Sequence, residues 1–171
     1  SAASDVYKRQ MYKNKLTHGS TYKMAVYGDN GWHDRIPAYA TRVVQNEQTK
    51  DYSAQFWAPA EQFDWQGDQF DAKSLGSLLI YEAHVGMAQE KAGVGSYCEF
   101  TRKILPKIRR AGYNAVQLMA VAEHPYYGSF GYHVSNFYAP SSRFGTPEEL
   151  KELIRVAHTM GLAVIMDVVH A

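Results

Sequence analysis

The sequence predicts a protein of α/β plus β class: a β-rich leading segment followed by a parallel α/β unit. Three short apolar runs, at residues 78–82, 115–119 and 163–169, alternate with two stretches of helical periodicity. Both helical stretches open on N-capping chemistry. Upstream, residues 11–70 carry alternating or aromatic-rich runs broken by turn residues.

In the leading segment, the run 20–27 (STYKMAVY) alternates polar and apolar residues, and Gly28-Asp29-Asn30-Gly31 then supplies hairpin-turn chemistry. Residues 36–44 and 52–57 are further β-branched or aromatic runs. Three such strands are a piece of a sandwich rather than a whole one. The polar stretch 59–77, with Gly67 and Gly76, reads as connection, and 71–77 as the linker to the next unit. The α/β unit then occupies 78–171. Its first apolar run ends in Glu82. Ser96 and Glu99 predict a capping box for the first helix, in which Phe100, Ile104, Leu105 and Ile108 repeat at helical spacing and Gly112 ends the pattern. Pro106 lies inside that pattern and predicts a kink or a restart. The second helix opens on Thr146-Pro147-Glu148-Glu149, carries Leu150, Leu153, Ile154 and Ala157 on one face, and stops at Gly161. The run 163–169 (AVIMDVV) is almost continuously apolar, as a parallel strand covered on both faces would be. Strand–helix–strand–helix–strand order implies right-handed βαβ units. A complete (β/α)8 barrel takes about 250 residues, so three strands in this chain predict only its first part, with an open apolar edge that invites aggregation when the chain is expressed alone.

Composition excludes several function classes. Of 171 residues, 46% are apolar and 20% charged, which is globular rather than disordered. A formal net charge of +1, with basic residues dispersed, gives no footprint for nucleic acid or an anionic membrane. No stretch of about 18 apolar residues predicts a membrane-spanning helix, and the N-terminus has no apolar signal core. The lone cysteine, Cys98, rules out an internal disulfide framework, fits a reducing, cytoplasmic setting and reads as a half-buried structural thiol. Residues 1–10 have no periodicity, and 5–10 (DVYKRQ) resemble the translation of a transposase adapter used in DNA library preparation. They are read as non-native, which would make Met11 an internal methionine of a chain cut at both ends.

Function gathers beyond the carboxyl ends of the strands in parallel α/β sheets. The long segment 120–145 lies there, between the second apolar run and the second helix. It holds HPYYGSFGYH at 124–133, and then Phe137, Tyr138 and Phe144. Connections of this length are usually functional. Aromatic faces suit the C–H faces of sugars, while phenols and imidazoles can bond sugar hydroxyls. The alternative is a self-packed loop whose rings cover the sheet.

The stretches 80–87 (IYEAHVGM), 112–119 (GYNAVQLM), 123–133 (EHPYYGSFGYH), 143–150 (RFGTPEEL) and 166–170 (MDVVH) closely resemble 1,4-α-glucan (glycogen) branching enzymes of the α-amylase superfamily. Residues 16–20 (LTHGS) and 34–40 (DRIPAYA) resemble the end of the carbohydrate-binding module that precedes the barrel in those enzymes. The resemblance implies the first three strands and two helices of a (β/α)8 TIM barrel at 78–171. It implies the C-terminal part of an Ig-like β-sandwich carbohydrate-binding module at 11–70. It further implies a retaining transferase that cleaves α-1,4-glucan and passes the chain to a 6-hydroxyl. Glycogen or amylose is then the partner, with no cofactor and no metal.

By the same resemblance, Tyr132 matches the tyrosine that stacks on the sugar at the cleavage subsite. Asp167 matches the aspartate that closes the third barrel strand and supports the site's charge network. His133 and Tyr127 are expected to line the glucan cleft. Glu82 and Glu123, also strand-end acids, are read as structural, as are His84 and His158, and His124 as orienting the loop backbone. In the family, the motif at 166–170 continues into a serine and a second histidine, where this chain has Ala171 and ends. The family's nucleophile, general acid and third carboxylate lie on later strands, so no catalytic carboxylate is assigned here and the 171 residues alone are expected to be inactive. An amylase-type or debranching hydrolase, and a non-catalytic glucan-binding protein, are the alternatives. The motifs at 81–86 and 123–127 argue against the hydrolase.

Overall fold

The computed structural model describes residues 15–170. The adapter-like stretch 1–10, Met11 and Ala171 lie outside the described residues.

Among the described residues the leading segment forms five short strands. β1 (Thr21–Tyr22) pairs antiparallel with β5 (Tyr52–Gln55), which also pairs with β4 (Val43–Gln45). β2 (Met24–Gly28) and β3 (Gly31–Arg35) form a separate hairpin with Gly28 opposite Gly31. The expected strand at 20–27 is therefore two strands, split at Lys23 and assigned to different sheets. Most of the run 36–44 is not strand. Pro37 has no amide proton to give a ladder, and the Ala40 amide instead donates to the Pro37 carbonyl in a turn. Ala40, Val43 and Ala54 make a small core, joined by Ala139 from the α/β unit.

The α/β unit has the predicted order. β6 (Ile80–Ala83), β7 (Ala115–Leu118) and β10 (Ala163–Met166) form a parallel sheet in the order β10-β7-β6. Ile80 and Ala163 both lie opposite Ala115. Alternate residues of this sheet, Ala83, Val116, Leu118 and Val164, meet Phe100, Leu105, Ile108, Leu150, Leu153 and Ala157 in the main core. On the other face, Gln117 donates to the Glu82 carboxylate at 3.2 Å. The polar pair thus sits on the face that the helices leave uncovered.

The first helical stretch is α1 (Tyr97–Glu99), a π-helical turn (Phe100–Ile104) and α2 (Leu105–Arg110). The Leu105 amide reaches back to the Phe100 carbonyl, closing the wider turn immediately ahead of Pro106. A proline ring clashes with the carbonyl four residues back in a regular helix, and a one-residue widening relieves that clash. The chain therefore accommodates Pro106 by widening its helix. Ser96 accepts from the Glu99 amide at 3.2 Å, but the Glu99 carboxylate pairs with Lys91 at 2.7 Å. Only half of the expected capping box forms there. The box at α3 (Pro147–Thr159) is complete: Thr146 accepts from the Glu149 amide, and the Glu149 carboxylate accepts from the Thr146 amide at 2.7 Å.

The segment 120–145 is not one irregular loop. β8 (Ala122–Glu123) pairs antiparallel with β9 (Asn136–Pro140), so residues 124–135 are the connection of a hairpin seated at the carboxyl end of β7. The connecting stretch 59–77 docks on α3. Asp68 meets His158 Nδ1, Phe70 stacks on the His158 ring at 4.4 Å, and Arg155 donates to Gln66. Among the described residues no helix is long and apolar enough to cross a membrane.

Candidate functional site

Backbone bonds bring three chain segments together at the carboxyl end of the sheet. The Met119 amide donates to the Ala83 carbonyl and the Asp167 amide to the Leu118 carbonyl, continuing the ladder one residue past each strand. Asp167 is thereby set beside the hairpin connection, whose path is a series of tight turns. Ser129, Phe130 and Tyr132 amides donate three residues back to Tyr126, Tyr127 and Ser129. Phe130 (φ 55°) and Gly131 (φ 90°) are both left-handed. At 131 only glycine fits, because a Cβ would overlap the Ala120 carbonyl oxygen. This reversal aims Tyr132 across the sheet end, where its hydroxyl donates to Asp167 Oδ2 at 3.1 Å.

Tyr132 remains 39% exposed while its hydroxyl is held by Asp167. Partial desolvation, then the bond to Asp167 and the nearby charges of Asp167 and Glu82, push the phenol above its ordinary value. It is therefore a proton donor to a carboxylate throughout the neutral range. Beside it, Phe137 stacks on His170 with centroids 5.4 Å apart and planes 21° apart, and half of the Phe137 surface is open. Asp167 also lines one end of a cleft of about 880 Å³ that continues past Phe137 and Tyr138 to Trp57.

Of the four residues singled out from sequence, the structure joins Tyr132 and Asp167 directly. His133 is exposed and turns toward the Tyr126 ring, 6.4 Å away. Tyr127 is half-buried and packs inward: its ring meets His84 edge-on at 5.9 Å and lies under the Arg143 guanidinium at 5.4 Å. Tyr127 thus belongs to the support of the loop more than to its open face.

That support is built largely from buried polar groups. Glu123 is 1% exposed, and its carboxylate accepts from the Ser142 amide at 2.7 Å and the His124 amide at 3.2 Å. Burial pushes its pKa up, against the pull of those amide bonds. His124 is fully buried, with Nδ1 2.9 Å from the Ala122 carbonyl. His84 sits in a cage of Tyr127, Phe130 and Phe144 edges, and among the described residues neither of its ring nitrogens has a hydrogen-bond partner. Desolvation, then the neighbouring His124, pull the His84 pKa down, so the ring stays neutral. Cys98 donates to Glu149 at 3.1 Å, and that bond raises its pKa; the thiol braces the α3 cap. Among the described residues no group of His, Cys, Asp and Glu forms a metal cage. Sequence reasoning named Phe137 only among the aromatics of 120–145, and His170 and Arg143 only inside resembling stretches, and gave none of the three a role; the partners of Arg143 are mostly backbone carbonyls, which carry no sequence pattern.

The family described as "Alpha amylase, catalytic domain" matches residues 88–171. The chain is 50% identical over 158 residues to the 1,4-alpha-glucan-branching enzyme of Yarrowia lipolytica and 47% identical over 164 residues to that of Saccharomyces cerevisiae. Each alignment covers 91% of this chain and 23% of the relative, so the chain spans about a quarter of the length of these proteins. The 1,4-alpha-glucan-branching enzyme 2-2, chloroplastic/amyloplastic, of Arabidopsis thaliana is 47% identical, with 19% of it covered. Among solved structures, a putative alpha amylase from Salmonella typhimurium superposes with TM-score 0.71 at 24% identity, covering 90% of this chain and 24% of that one. A pullulanase, GBS SAP, solved in complex with maltotetraose, superposes with TM-score 0.68 at 21% identity, covering 86% of this chain and 24% of that one. These two likenesses bear on the fold alone and, with the family match over 88–171, support a partial TIM-barrel-like fold.

Proposed function

The chain belongs to the branching-enzyme family of the α-amylase superfamily, and from that premise we propose that residues 78–171 form one wall of a site that cleaves α-1,4-glucan and transfers the chain to a 6-hydroxyl. The observation that carries this reading is the bond between Tyr132 and Asp167 at the carboxyl end of the parallel sheet. Tyr132 offers a ring face to a glucosyl unit, and Asp167 holds the hydroxyl so that the ring cannot swing away. A neutral, hydrogen-bonded phenol also keeps the carboxylate from facing the sugar unscreened. Retaining transfer needs two further carboxyl groups about 5–5.5 Å apart, one as nucleophile and one as acid/base. By family resemblance those lie on strands other than β6, β7 and β10, so these residues alone bind glucan without exchanging bonds. No cofactor enters the chemistry, and the setting is cytoplasmic.

Residues 11–70 are read as the end of an Ig-like β-sandwich carbohydrate-binding module, joined through 71–77. Support comes from the antiparallel β1-β5-β4 sheet and from the exposed Tyr27 and Trp32 rings, 5.3 Å apart across the β2–β3 hairpin.

The test is electrophoresis in native gels containing glycogen, amylose or the α-1,6-linked glucan dextran. Retardation by glycogen and amylose but not by dextran is expected. Equal mobility in all three gels would sink the reading. For the whole protein, incubation with amylose should lower iodine colour without releasing reducing sugar; short linear sugars would instead mark a hydrolase.

A further inference from the structure

The loop that carries Tyr132 is fastened to the leading β segment through Arg143, which lies in the turn just after β9. Its Nη2 donates to the Tyr52 hydroxyl at 3.3 Å and to the Pro125 carbonyl at 3.2 Å, and its Nη1 reaches the His124 carbonyl at 3.4 Å. The Tyr52 hydroxyl, from β5, itself donates to the same Pro125 carbonyl at 3.2 Å. The guanidinium plane covers the Tyr127 ring. Among the described residues no carboxylate pairs with this cation. Its donors are spent on fixing backbone oxygens at one point, where the chain leaves β8 and enters the run of turns ending at Tyr132. A planar fork with several donors can hold two carbonyls, a hydroxyl and a ring at once, which an ammonium cannot do.

We infer that Arg143 and Tyr52 are positioning residues: through the His124–Pro125 corner and the Tyr127 ring they set the reach of Tyr132 to Asp167, so that the leading β segment controls the geometry of the sugar-facing wall. The turns between Tyr126 and Tyr132 are consecutive and hydrogen-bonded, and Gly131 is pressed against Ala120, so a displacement at the corner is passed along the loop rather than absorbed. Asn136 donating to the Pro37 carbonyl at 3.2 Å and the Tyr39–Tyr138 ring pair at 5.1 Å tie the outgoing arm of the hairpin to the same segment. The consequence for ligand binding rests on the glucan reading above; the mechanical link does not.

The experiment labels tyrosine Cζ with carbon-13 and follows how far the Tyr132 signal, assigned by its loss in Tyr132→Phe, moves when Asp167→Asn is introduced. In the otherwise unaltered chain the signal should move, because the hydroxyl donates to the carboxylate. In Tyr52→Phe and Arg143→Met the movement should shrink by roughly half or more, while the melting transition is retained and Arg143→Lys restores only part of it. An unchanged Tyr132 response in Tyr52→Phe, a substitution mild enough to keep the fold if Arg143→Met does not, overturns the inference. Maltoheptaose affinity is measured in parallel, and a loss of roughly fivefold or more in Arg143→Met is expected, since small misplacements of a binding group are costly. If no variant binds maltoheptaose but the Tyr132 response still depends on Tyr52, the positioning role stands and the glucan reading falls.

Discussion

The Tyr132 hydroxyl donates to the Asp167 carboxylate at 3.1 Å, joining a ring on the β8–β9 connection to the residue that follows β10. The two are brought together by elements far apart in sequence, and Tyr132 stays partly exposed with its hydroxyl bound.

Removing the hydroxyl and removing the ring should therefore have different effects. Tyr132→Phe is expected to weaken maltoheptaose binding by about 1 kcal/mol, the net value of one hydrogen bond. Tyr132→Ala also deletes the stacking surface and should cost about 2–3 kcal/mol. Isothermal titration calorimetry separates the two, and equal losses would mean that the ring face does not carry the sugar.

Gly131 is the tightest point of the loop. Gly131→Ala combines an unfavourable left-handed backbone with overlap on the Ala120 carbonyl. A loss of more than about 2 kcal/mol in thermal or urea unfolding is expected. Gly93, equally left-handed but with open space around it, is the control, and Gly93→Ala should cost the backbone strain alone, about 1–2 kcal/mol, and less than Gly131→Ala.

Glu123 is a buried acid held by two amides, so Glu123→Gln should destabilise the fold by about 1–3 kcal/mol, because one amide donor then meets an NH2 group. Circular dichroism melts at neutral pH would check this. An unchanged melt would show that the carboxylate does not organise the loop.

His84 and Glu123 give the loop opposite responses to pH. A histidine with a depressed pKa binds fewer protons folded than unfolded. Its stability contribution is complete above the ordinary imidazole value of 6.5 and is lost as pH falls below it. A carboxyl with a raised pKa does the reverse: its contribution is complete below the ordinary 4.5 and is lost as pH rises. Between neutrality and mild acid the chain should therefore lose stability through His84. His84→Phe, which removes the titrating ring nitrogens, should flatten that limb in melts taken across the range. An unaltered limb would place its origin elsewhere.

Legibility in the sequence tracked how local each cause was. The three parallel strands lie where apolar runs fell between helices, and Thr146 with Glu149 closes the capping box that its spacing announced. The matching pair at Ser96 misled because Lys91, outside the pattern, takes the Glu99 carboxylate. The β8–β9 hairpin escaped notice because β8 is two residues long and β9 ends in proline, so neither shows alternation. β3 was hidden because Gly31-Trp32-His33-Asp34-Arg35 reads as turn and charge, and its pairing comes from β2. At the candidate site, Tyr132 and Asp167 were legible only through family resemblance. Arg143 opens one of the resembling stretches, but its role was not legible, because it is written in carbonyl positions.

The widened turn at Phe100–Ile104 has a consequence for how this chain can drift. It amounts to one extra residue inside a helix, tolerated because Pro106 follows. Deleting a single residue between 100 and 104 would restore an even helical pitch and drive the proline ring into a carbonyl. Replacing Pro106 alone would leave the extra residue without its reason. Each change should be harmful by itself and mild with the other, so lineages carrying this helix would be expected to gain or lose the insertion and the proline as a pair.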